Sequence, residues 1–161
     1  MASRNPARAL RGTMFALALV GVFAGTALAT PASQFVGTPL AKGTMSDAVQ
    51  RNVGDIKFQT KGPVVFNVAS VVVAPGGTSG WHSHPGVVLV TVKQGAITFY
   101  DQTCTPTVHP AGTSFIEADG DGPGLAHNEG AIDALLYVTY IAPADTTVFR
   151  IDQANPGCPQ S

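Results

Sequence analysis

Two histidines one residue apart, His82 and His84, stand in the segment Gly80-Trp81-His82-Ser83-His84-Pro85-Gly86. On an extended strand residues i and i+2 point to the same face. The two imidazoles therefore project together, as two ligands of one metal ion must. Imidazole suits zinc, copper, iron and nickel alike, so the pair does not choose the metal. Two ligands leave a site incomplete, because catalytic metal centres usually keep three protein ligands and one open position. His127, in Leu125-Ala126-His127-Asn128-Glu129, is the candidate third ligand, and Gln94 or Gln102 could assist. The bland alternative is two surface histidines that hold nothing. His109 precedes the turn Pro110-Ala111-Gly112 and reads as an exposed loop residue. Glu117 and Asp119 flank a glycine-rich stretch and read as facing water. Trp81 reads as packing, and Tyr100, Tyr137 and Tyr140 as core or edge residues. No G-x-S-x-G, phosphate loop or Ser/His/Asp order is present.

The elements that must position these side chains read as strands. Val64 to Ala74 is rich in valine, too β-branched for a stable helix, and Pro75-Gly76-Gly77 ends it. Gly86 to Val92 is a second valine-rich run. Lys93-Gln94-Gly95-Ala96 then reads as a hairpin turn into Ile97-Thr98-Phe99-Tyr100. Ser114 to Ile116, Ile132 to Ala142 and Thr147 to Ile151 follow, separated by turn signals. Residues 30–45 read as an irregular arm or a first edge strand, and Ser46 to Arg51 as a short helix. Short strands with regular turns predict an all-β sandwich or barrel.

Residues 1–29 carry Arg4, Arg8 and Arg11, an uncharged run from Gly12 to Ala24, and Ala27-Leu28-Ala29. A basic start, a short apolar run and an A-x-A site make a secretory signal peptide, too short and too broken to span a bilayer. The expected product is a single domain over residues 30–161, secreted or held in the cell envelope, with no membrane association after cleavage. That stretch holds six Lys and Arg against ten Asp and Glu, a net charge of −4, which argues against a nucleic-acid partner. Cys104 and Cys158 both fall within it, and in an oxidising compartment they are expected to pair and to stabilise by roughly 4 kcal/mol.

Gly76, the pair His82 and His84, and Gly95 together resemble the first motif of the cupin superfamily, G-x5-H-x-H-x3/4-E-x6-G. Residues Pro110 to Phe115 and Leu125 to Gly130 resemble its second motif, so that the likeness covers roughly residues 64–142. The chain is also similar to small exported cupin-domain proteins of actinobacteria. The resemblance implies a single double-stranded β-helix, a jelly-roll barrel, with a divalent transition metal or a small-molecule ligand in its cavity, and a homodimer. Two positions depart from the motif. Its glutamate falls on Val88 or Leu89, and its third histidine on Gly124. His127 is three residues from that place, an odd offset that turns a regular strand's side chain to the other face; a bulge would be needed to bring it back. Three functions stay open: a binding protein for a metal or small molecule, a metal-dependent dioxygenase or isomerase, and a metal-free barrel with a structural or partner-binding role.

Overall fold

The computed structural model describes residues 28–118, 120 and 122–159. The expected signal segment up to residue 27, and Asp119, lie outside the described residues. Among the described residues there are twelve strands and no helix. The first four are β1 (Ser33–Met45), β2 (Gln50–Val53), β3 (Ile56–Gln59) and β4 (Val64–Thr78). Next come β5 (His82–Ser83), β6 (Val87–Gln94), β7 (Ala96–Tyr100) and β8 (Pro106–Pro110). The last are β9 (Ser114–Ala118), β10 (Leu125–His127), β11 (Ala134–Pro143) and β12 (Ile151–Asp152). One antiparallel sheet runs β8-β7-β10-β4-β11-β6-β9 and curls into a jelly-roll barrel, with β1 laid along β4. The expected all-β barrel is the fold that forms.

Alternation builds the interior. Along β6, Val88, Val90 and Val92 are buried while Val87, Leu89 and Thr91 are exposed, the period-two pattern of a sheet with one wet face. Val71, Val73, Ile97, Leu136 and Val138 complete the same core. A satellite cluster of Trp81, Leu125 and Cys158 lies apart from it, beside the Cys104–Cys158 disulfide. Trp81 is a packing residue, as its sequence context indicated.

Three local readings need correction. Residues 50–53 do not continue a helix but pair with residues 56–59, because Gly54 takes a positive φ of 55° and closes a tight turn. Gly95 does adopt the positive φ expected of it, 70°, yet β6 and β7 form no hairpin: β6 pairs with β11 and β9, and β7 with β8 and β10. A tight turn reverses or redirects a chain, and only distant partners decide which. The final strand is shorter than residues 147–151 suggested. Residues 144–150 form an irregular strap that leads into β12.

Candidate metal centre

The histidine pair sits on β5 and just beyond it, held from two sides. His82 exchanges backbone hydrogen bonds with Gly124, 2.9 Å in each direction, and Asp152 of β12 lies opposite it. Both imidazoles are buried, 6% exposed, with ring centroids 4.7 Å apart and planes nearly perpendicular. The shared orientation expected from the i, i+2 spacing is what the backbone delivers.

Glu117 was expected to face water and does not. It projects from β9 into the barrel, with its side chain 13% exposed and Oε2 3.5 Å from His82 Nε2 and 3.2 Å from His84 Nε2. The three ligand atoms lie within 4.8 Å of one another. The β6–β9 register accounts for this placement. Glu117 is the direct cross-strand neighbour of Val88, and opposed residues share a face with their Cβ atoms about 5 Å apart. The carboxylate missing at Val88 is thus supplied from the adjacent strand.

His127 is not brought to the pair. It lies opposite Thr98 and Thr78, and its neighbour Ala126, of opposite parity, belongs to the interior core. The side chain therefore points to the outer face, where Nδ1 is 3.7 Å from Glu129 Oε1. Glu129 accepts hydrogen bonds there from Thr98 (2.7 Å) and Tyr100 (2.5 Å). No bulge shifts the strand, so the odd offset keeps its consequence. At Gly124, the place of the motif's third histidine, a side chain would collide with the Phe99 ring. Gln94 donates to the Asp133 carbonyl (3.3 Å), and Gln102 lies against Gly122 at the cavity mouth. His109 is not a free loop residue: it lies within β8, opposite Ile97, and stacks on Phe115, centroids 4.0 Å apart. Burial lowers its pKa, against an opposing pull from Glu117.

Second contacts fix how the imidazoles present themselves. His82 Nδ1 lies 2.9 Å from the Gly80 carbonyl, and His84 Nδ1 lies 2.6 Å from that of Phe149. A carbonyl only accepts, so each Nδ1 carries a hydrogen and each Nε2 is the ring nitrogen turned toward Glu117. Burial pushes the Glu117 carboxyl up, but hydrogen bonding and charge from the two histidines outweigh it and bring its pKa down to about 2. Two imidazole Nε2 atoms and an ionised carboxylate thus converge on one point. A proton or a metal ion held between them offsets the buried negative charge.

This has a consequence for acid stability. A carboxylate held below its unfolded pKa stabilises the fold above that value, and the contribution is lost as pH falls through the folded one. In metal-free protein, Glu117 should steepen the loss of stability between about pH 4.5 and 2. Urea midpoints across that range should flatten in Glu117→Gln, and an unchanged slope would contradict the assignment.

The mouth above the Nε2 atoms is lined by Phe99, Asp101, Ile116 and Pro123 and holds about 40 Å³ of free space. Beneath the ligands, a second void of about 20 Å³ is walled by Phe35, Val90, Phe115 and Tyr140. At about 10–15 Å³ per water, these hold roughly three waters and one.

No protein-family model matches the sequence, and no curated protein matches it. Solved structures do. The polyketide cyclase RemF of Streptomyces resistomycificus superposes with a TM-score of 0.52 at 14% identity, over 79% of each chain. The Cupin_2 domain of an XRE-family transcriptional regulator from Enterobacter cloacae matches 68% of this chain and 97% of its own, at 19% identity and a TM-score of 0.45. A double-stranded β-helix protein of Klebsiella pneumoniae covers 55% of this chain and 76% of its own, at 21% identity and a TM-score of 0.47. The chain has a double-stranded β-helix fold. Its candidate site combines two histidines in the motif's places with a carboxylate from the neighbouring strand.

Proposed function

We propose that this protein binds one divalent transition-metal ion through Nε2 of His82, Nε2 of His84 and the carboxylate of Glu117, with a small ligand reaching the ion from the mouth. The observation that carries this reading is the convergence of two imidazole Nε2 atoms and a carboxylate within 4.8 Å, with each Nδ1 already engaged by a backbone carbonyl. Each residue then has a task. His82 and His84 hold their lone pairs inward because backbone carbonyls fix the opposite nitrogen. Glu117 offsets one of the two positive charges. Phe99 lines the mouth, and Phe115 walls the small void on the inner side. A bound divalent ion supplies a Lewis-acid centre that polarises a coordinated oxygen.

The set of two histidines and one carboxylate with open positions is also the ligand pattern of non-haem iron(II) oxygenases. That supports, as a second reading, an iron-dependent dioxygenase of a small organic substrate. The disulfide and the expected signal segment support action outside the cytoplasm.

Metal analysis of the protein prepared without chelators or a histidine tag tests the binding reading. After incubation with manganese, iron(II) or zinc and desalting, the wild type should retain close to one ion per chain. His82→Ala/His84→Ala should retain less than about a tenth of that. A wild type that takes up none of the three overturns the proposal.

A further inference from the structure

The mouth above the histidines carries charge of one sign. Two carboxylates line it, the buried Glu117 and the more exposed Asp101, and among the described residues no Lys or Arg joins them. From Gln94 to Phe149 the sequence holds seven Asp and Glu and not one Lys or Arg. Every residue lining the mouth outside the His82–His84 segment falls in that stretch. The next cation along the chain, Arg150, is already engaged: its guanidinium bonds the Ser79 carbonyl (2.5 Å) and the Asp152 carboxylate (2.8 Å).

Asp101 is a fixed charge. Its Oδ1 accepts hydrogen bonds from the Thr103 hydroxyl (2.6 Å), the Thr103 amide (2.8 Å) and the Thr105 amide (3.0 Å). The same turn holds Cys104, bonded to Cys158, so a covalent clip fastens the loop that carries the carboxylate. These hydrogen bonds, the Thr103 hydroxyl's foremost, hold the Asp101 carboxyl below its ordinary range and keep it ionised at neutral pH. All three fall on Oδ1, which leaves Oδ2 for a ligand. Phe99 lines the same space, and an aromatic ring attracts a cation to its face.

A divalent ion at the histidines brings two positive charges, and Glu117 and Asp101 together bring two negative ones. An anionic ligand would therefore meet no net positive site and no counter-cation besides the ion. An ammonium group beside Asp101 would gain a charge-assisted hydrogen bond. We infer that the ligand of this site is a small cationic amine, which coordinates the ion through an oxygen and sets its ammonium group against Asp101 and Phe99. The inference rests on the metal-binding reading above and adds the class of the ligand.

The test uses the full chain loaded with cobalt(II), whose visible absorption reports a change of ligands. Butyrohydroxamate, β-alanine hydroxamate and succinate monohydroxamate grip a metal through the same two oxygens and end in a methyl, an ammonium and a carboxylate group. At neutral pH the wild type should bind the ammonium compound about tenfold more tightly than the carboxylate one, with the methyl compound between. Asp101→Asn keeps an acceptor for the Thr103 and Thr105 turn and should shrink that spread to within about threefold. Asp47→Asn, an exposed acid on the β1–β2 connection, should leave it unchanged. Carboxylate binding as tight as ammonium binding in the wild type overturns the inference, and so does a spread that survives Asp101→Asn. A chain that acquires no cobalt band before any hydroxamate is added overturns the metal reading itself, and this inference with it.

Discussion

Glu117→Gln should reduce affinity for a divalent metal ion by more than about 100-fold, while His127→Ala leaves it within about threefold. Loss of a residue that merely orients a ligand costs about 10–100-fold, and removal of a ligand's charge should exceed that. His127 makes no approach to the pair, and its nearest ionic neighbour is Glu129 on the outer face. Isothermal titration with zinc or manganese measures both effects. Because Val88 and Glu117 are direct cross-strand partners, the carboxylate can also be moved. Val88→Glu/Glu117→Val exchanges the two side chains with little net change of volume and restores the motif's own arrangement. It should recover at least a tenth of the wild-type affinity. Equal losses in Glu117→Gln and His127→Ala would return His127 to the ligand set.

Breaking the disulfide should both destabilise the barrel and loosen the metal. Cys104 and Cys158 are 54 residues apart, and the chain-entropy account gives about 4 kcal/mol for such a loop, about 10–15 °C in melting temperature. The effect on the site has a separate route. The bridge anchors the end of the strap that begins after β11, and this strap supplies the Phe149 carbonyl that orients His84. Arg150 donates to the Ser79 carbonyl (2.5 Å), and Gln153 to the Trp81 carbonyl (2.9 Å), fastening the strap beside the histidines. With Cys104→Ser/Cys158→Ser the strap loses its clip, and metal affinity should fall about 10–100-fold at temperatures where the barrel remains folded. Amide hydrogen exchange should rise over residues 144–159 before it rises in β4 or β11. A variant that melts lower but binds metal as tightly as wild type would confine the disulfide to stability.

Much of this architecture was legible because it is written with short periods. The i, i+2 spacing of His82 and His84 gives their common direction, and the valine-rich runs with glycine and proline punctuation give a barrel. The odd offset of His127 from the motif position already carried its outward direction. Glu117 was hidden because its role depends on which strand lies beside β6, a contact between distant parts of the chain. A faint signal was present: Glu117 is two residues beyond Phe115 and shares its face. Ile116 between them is apolar as well, so alternation alone did not say which side was inward. Gly95 failed in the same way. Its backbone conformation was readable, but the identity of the paired strands was set by the whole sheet.

The most direct test is to locate the ion. Crystals grown with manganese or zinc should show one anomalous-scattering peak bounded by His82 Nε2, His84 Nε2 and a Glu117 oxygen, at about 2.0–2.2 Å from each for zinc. A peak beside His127 and Glu129, or none within the barrel at saturating metal, would contradict the assignment.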